Sequence, residues 1–190
     1  MNGRTEHSVP PTQAAEDILA FWLAAGHERR FEPDEQFDAE IRNRFAATYE
    51  DAVAGRLSAW ENSPEGALAL TIVLDQFPRN MFRNSASSFA ADPLARAVAR
   101  RAIAKGFDQQ VAMPQREFFY LPFEHSEELA DQERSVALMR ATGDADSLKW
   151  AELHADIIRR FGRFPHRNAV LGRTTTPEEQ AFLDEGGFSG

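Results

Sequence analysis

Two short peptides in this chain combine an aromatic ring, a proline and polar groups able to hold an anion. Phe77-Pro78-Arg79-Asn80 follows Asp75 and Gln76, and Arg163-Phe164-Pro165-His166-Arg167-Asn168 repeats the pattern with a second arginine and a histidine. Proline disfavours helix in the residue before it, so both peptides are expected to leave their helices at the phenylalanine, ring anchored and polar groups turned outward. Arginine in such a turn offers a planar fork of donors suited to carboxylate or phosphate. An internal alternative exists at the first peptide, because an aspartate ending an apolar helix needs a donor, and Arg79 lies one helical turn beyond Asp75.

Acid–base chemistry has two candidates. His125 and His166 could each serve as a general base, with Arg163 or Arg167 meeting developing negative charge, which would make the protein a hydrolase-type enzyme. Most other templates are missing. The chain has no Cys, so thiolate nucleophiles, thiolate metal sites and disulfides are excluded. It has no G-x-S-x-G, no Walker loop, no G-x-G-x-x-G, and no H-x-x-x-H pair among its five His. His125 and Glu128 stand three apart and could form half of a metal site, too little to predict a metal or a cofactor. Ser126 is read as a helix N-cap rather than a nucleophile.

Charge is unevenly distributed. Glu124, Glu127, Glu128, Asp131 and Glu133 form a stretch with no Arg or Lys, while Arg159, Arg160, Arg163, Arg167 and Arg173 form one with no acid. A helical hairpin through Thr142-Gly143-Asp144 would set these stretches side by side, either paired to one another or facing a ligand. The same hairpin brings Gln132 opposite His154, two polar residues on apolar stripes that are expected to satisfy each other by a hydrogen bond.

The elements that must position these groups are helical. Ala occurs 30 times against 13 for Val and Ile together, a ratio that favours helix. Periodic apolar stripes predict helices over residues 13–25, stopped at Gly26, and 34–54, stopped at Gly55. Ser63-Pro64 opens a third, apolar on every side from Leu68 to Leu74 and therefore central. Further helices follow over 92–105, 126–141 and 145–161, with a short turn of helix after Pro114. A capping box at Thr176-Pro177-Glu178-Glu179 opens a last helix. The expected architecture is all-α, about seven main helices in antiparallel hairpins, with residues 1–11 a disordered tail and 12–190 a single domain. At 190 residues the chain can bury a core without staples. A net charge of -9 argues against nucleic acid as a partner, and no run approaches the roughly 18 apolar residues of a membrane span. Without cysteine or a recognisable export signal, the cytoplasm is the expected compartment.

Several of these segments also resemble a known family. Ile18–Trp22 (ILAFW), Leu68–Asn80 (LALTIVLDQFPRN), Phe89–Pro93 (FAADP), Phe119–Glu128 (FYLPFEHSEE), Asp131–Glu133 (DQE) and His154–Gly172 (HADIIRRFGRFPHRNAVLG), with Thr175–Glu179, are similar to the bacterial family called domain of unknown function nine-two-four. The chain departs from it at Leu23-Ala24, where the family pattern usually runs Phe-Gly. The resemblance implies a fold similar to tetratricopeptide helical arrays and implies no activity. Taken together, the residues predict a groove lined by the two Phe-Pro loops and the start of the 126–141 helix. It would bind an anionic small molecule or an acidic peptide through Asp75, Gln76, Arg79, Asn80, His125, Glu128, Arg163, His166, Arg167 and Asn168. The rivals are the hydrolase-type enzyme and a purely structural or assembly module.

Overall fold

A computed structural model describes residues 11–188, with side chains from residue 14 onward; the expected tail, apart from Pro11, lies outside the described residues. The described chain is all-helical, without strands. Seven helices run eight residues or longer: α1 (Pro11–Ala24), α3 (Glu35–Val53), α4 (Pro64–Asp75), α6 (Asp92–Ala104), α8 (Leu129–Thr142), α9 (Ala145–Phe161) and α10 (Pro177–Asp184). Shorter α2 (Gly26–Phe31), α5 (Phe77–Met81) and α7 (Leu121–Glu124) connect them, with 3-10 turns between. None is long and apolar enough to cross a membrane.

Local chemistry sets most of the ends. Asp34 accepts from the amides of Gln36 and Phe37 to open α3, Ser63 accepts from Gly66 with Pro64 in the first turn of α4, and Thr176 and Glu179 close the capping box of α10. Gly143 and Gly162 stop α8 and α9 with positive φ of 79° and 70°, a conformation that costs other residues about 1 kcal/mol or more.

α4 is the central helix. Every residue from Gly66 to Asp75 is buried, because α1, α3, α6 and α7 all pack against it. Trp22, Phe37, Phe45 and Phe77 interlock beside it, with ring centroids 5.1 to 5.9 Å apart from Trp22 to Phe37, Trp22 to Phe77 and Phe45 to Phe77. Farther along, α8 and α9 form the hairpin read from the sequence.

Gly26 stops α1 as expected, since the helix ends at Ala24 and a φ of +77° turns the chain before α2 begins. Three local expectations are corrected. Phe77 does not leave its helix. Gln76 stays helical (φ -88°, ψ -49°) and Pro78 sits in the first turn of α5, where a missing N–H is harmless. Phe164 does leave, adopting an extended backbone before a 3-10 turn at Pro165–Arg167. Second, Ser126 is not the cap of α8, which begins at Leu129 with Glu128 as its uncapped N-cap residue. The Ser126 hydroxyl instead donates to Asp131 Oδ2 at 2.9 Å and accepts from the Glu128 amide. Finally, Gln132 and His154 do not bond to each other. Gln132 Nε2 donates to the carbonyls of Glu124 and Ser126, both at 2.6 Å, while His154 Nδ1 lies 2.8 Å from the Trp150 carbonyl and 3.3 Å from Glu124 Oε1. The glutamine reaches back into the loop before its own helix because those carbonyls are buried acceptors with no other donor at hand.

Candidate functional site

Asp75 is the last residue of α4 and is wholly buried. Its Oδ2 accepts from Gln76 Nε2 at 2.6 Å, and its Oδ1 lies 2.9 Å from His125 Nδ1 and 3.5 Å from Arg79 Nη1. Arg79, on α5, also donates to the Asp75 carbonyl and makes a two-point contact with Asp92 at 3.1 and 3.2 Å. Asp92 opens α6, so four segments meet here: the ends of α4 and α5, the start of α6, and His125 just after α7. Burial disfavours a charged Asp75, but Arg79 and His125 outweigh it and hold the carboxyl well below the usual range.

Arg167 enters the same cluster from the turn after α9. Its guanidinium lies between two rings, 4.5 Å from the Phe89 centroid and 4.4 Å from that of Phe164. Nη1 donates to the His125 carbonyl at 3.0 Å, and the nearest carboxylate oxygen, on Asp92, is 3.9 Å away. Nε is enclosed without a hydrogen-bond partner. Burial, with Arg79 close by, lowers its pKa to about 10, which still leaves it charged at neutral pH.

The far wall holds His154, Glu124 and His166. Burial depresses His154 to about 4 and raises Glu124 to about 8, the latter helped by Asp75 and Glu117. Glu124 is therefore a neutral carboxylic acid at pH 7, with Oε2 enclosed and unpartnered. His166 lies against Phe164 and Phe188, with centroids 5.6 and 5.2 Å away, and burial and Arg167 push it down to about 3. Its Nδ1 is buried without a partner. Phe188 also covers His154, with ring centroids 4.5 Å apart, closing this side of the cluster.

The other sequence-read residues are placed elsewhere or are paired within the fold. Arg163 makes a two-point contact with Glu179 at 2.6 and 2.8 Å and so ties α10 to the end of α9. Asn168 Nδ2 donates to the same Glu179 carboxylate, and its Oδ1 accepts from Arg173, which pairs with Glu127 at 2.7 Å. The acidic and basic stretches thus meet partly through Glu127 and Arg173. Asn80 is buried and donates to Asp38, which also holds Arg83. Glu128 is not brought to the cluster. It is exposed and lines a shallow depression of about 420 Å³ between α6 and α8, together with Arg96, Arg100 and Asp131. A second depression of about 570 Å³, between α1 and α3, is lined by Phe21, Arg29, Phe37 and Arg44 among others and is equally remote. Among the described residues no group of three His, Asp or Glu is arranged to hold a metal ion.

Asp92 and Phe89 belong to the cluster although sequence reasoning did not select them, and Glu124, read only as part of an acidic stretch, belongs to it too. Asp92 reads as an ordinary first-turn acid, and its partners lie 13 and 75 positions away. The FAADP segment, already prominent among the irregular motifs, was the only signal.

The geometry defines an all-helical protein with a largely enclosed ionic cluster at the junction of its central helix and the turn after α9. A family model described as "Bacterial protein of unknown function (DUF924)" matches residues 18–187, and the chain belongs to that family. A solved structure of a protein of unknown function from Agrobacterium tumefaciens is 46% identical, with a TM-score of 0.90 over 93% of this chain and 100% of that one. A search of curated proteins finds no match.

Proposed function

We propose that this protein binds a small anionic molecule, a carboxylate or phosphate, in the cytoplasm, at the pole where Arg167, Arg79 and His125 converge. The observation that carries this reading is the state of Arg167. Its residue is 7% exposed, its side chain makes a single hydrogen bond within the fold, and its one ion pair, with Asp92, is long at 3.9 Å. A buried guanidinium with donors to spare is costly unless something accepts from them, and an anionic ligand removes that cost. The neighbouring arginine shares Asp92 and the Phe89 ring with it, so positive charge is concentrated beside the exposed edges of His125 and Arg79, whose side chains are 16% and 21% exposed. So little exposed surface favours a small ligand over an acidic peptide. Arg163, Asn80 and Asn168, each held by a carboxylate of the fold, serve as its frame.

The test is a thermal-shift titration with succinate, phosphate, sulfate and a glutamate-rich peptide on the intact protein and on Arg167→Met. Near 100-fold saturation a ligand stabilises by about 2.7 kcal/mol, a rise of several degrees for a chain of this size. The expected result is such a rise for a small anion, absent in Arg167→Met, whose folding is checked by circular dichroism and which leaves Asp92 paired with Arg79. A peptide-only response would move the reading to the acidic peptide. A flat titration across all four would defeat it.

A further inference from the structure

His125 is positioned for more than binding. Asp75 is an ionised acceptor fixed by Gln76 and Arg79, so the hydrogen in the 2.9 Å contact belongs to His125 Nδ1. The lone pair then resides on Nε2, which has no hydrogen-bond partner among the described residues, on a side chain that is 16% exposed. Burial and Arg79 keep the ring neutral, outweighing the opposite pull of Asp75 and Asp92. Of the two histidines considered as bases, only His125 has a carboxylate orienting it. Its neighbour Ser126 is turned away and committed to Asp131, and the chain has no cysteine.

We infer that Asp75 and His125 form a general-base dyad that hydrolyses small carboxylic esters bearing an anionic group, with Arg167 receiving that group. The inference rests on the anion site above. In the forward step His125 Nε2 takes a proton from water as the water oxygen bonds to the ester carbonyl carbon, and the carbonyl π pair moves onto its oxygen. That oxyanion forms in the positive field of Arg79 and Arg167. As the intermediate collapses, the carbon–alkoxide bond breaks and the leaving oxygen takes the proton back from Nε2. The products are a carboxylic acid and an alcohol, and no further reactant is required. His125 is the catalytic residue; Asp75 is a positioning residue that fixes the tautomer.

The experiment compares hydrolysis of mono-p-nitrophenyl succinate and of neutral p-nitrophenyl acetate by the intact protein, His125→Gln, Asp75→Asn and Arg167→Met. The expected result is a rate on the anionic ester that falls roughly hundredfold in His125→Gln. Arg167→Met should lose the preference for the anionic ester, and Asp75→Asn should shift the pH–rate inflection as well as lower the rate. Because a variant at a buried position could fail to fold, the intact protein is also treated with diethyl pyrocarbonate. Carbethoxylation located on His125 should abolish hydrolysis, and hydroxylamine should restore it. Hydrolysis that depends on His125 without preference for the anionic ester would sustain the dyad and defeat the anion site. A thermal shift with succinate, but equal rates in intact protein and His125→Gln or activity surviving the modification, would do the reverse.

Discussion

Asp75 and His125 lie fifty positions apart in the chain and meet through one 2.9 Å contact between Oδ1 and Nδ1. That contact joins the end of the central helix to the loop following α7, and the backbone of that loop is itself held by Gln132. The position of His125 therefore depends on an amide that never touches it.

Gln132→Ala should destabilise the protein by about 2 to 4 kcal/mol. The change removes two hydrogen bonds and leaves the carbonyls of Glu124 and Ser126 unsatisfied in a buried place. Urea denaturation measures this directly, and a change below about 1 kcal/mol would show that other donors satisfy those carbonyls. His125 should also become more reactive to diethyl pyrocarbonate as its loop loosens.

The pH dependence of stability should have two opposed limbs. His154, depressed from 6.5 to about 4, contributes stability that is complete above pH 6.5 and is lost as pH falls toward 4. Glu124, raised from 4.5 to about 8, contributes stability present below pH 4.5 and lost as pH rises through 8. Replacing His154 by Gln should flatten the acid limb by an amount on the order of 2 kcal/mol, and Glu124→Gln should flatten the alkaline one. Urea midpoints measured from pH 4 to 9 decide this; curves parallel to the unmodified protein's would refute both assignments.

Thr176→Ala should cost about 1 kcal/mol by removing the cap of α10. Glu179→Gln should act more broadly, because that carboxylate accepts from Arg163, Asn168 and the Thr176 amide together. Hydrogen exchange should then rise across Pro177–Asp184 while α4 remains protected. Uniform acceleration over the whole chain would mean that α10 does not open by itself.

Asp38→Ala should destabilise without altering any response to anions. Asp38 is 6% exposed and holds both Asn80 and Arg83, so its removal strands two donors that are not bonded to Arg167. Urea denaturation and the succinate titration, run side by side, test the separation. A lost titration in a folded variant would tie Asn80 to the ligand after all.

The fold was legible wherever a residue's partner lay within one helical turn. Ser63-Pro64 and the Thr176 box announced their helices, and the unbroken run from Leu68 to Leu74 announced a central one. Legibility failed where a side chain chose a distant partner over a near one. Ser126 has the right type to cap α8, but Asp131, drawn also by Arg96 at 3.4 Å and Arg100 at 2.8 Å, takes its hydroxyl. Gln132 and His154 were rightly read as polar groups needing partners, and the partners were misassigned because backbone carbonyls carry no sequence signature. The same applies to the site. Asp75, Arg79, His125 and Arg167 were recognisable as residue types in suggestive loops, whereas the role of Asp92 as a shared counterion depends on a convergence that no local spacing encodes.

The dispersal of the cluster along the chain also bears on protein synthesis. Chains emerge from the ribosome amino-terminus first, so Asp75 and Arg79 are made well before His125, and Arg167 arrives near the end. A nascent chain that has released α1 to α6 already contains the central helix and much of the apolar core, yet its terminal aspartate still lacks the histidine that completes it. If the proposed anion site is right, a partly synthesised copy cannot capture the ligand, and a chain truncated before residue 167 would lack Arg167 even if its first half folded.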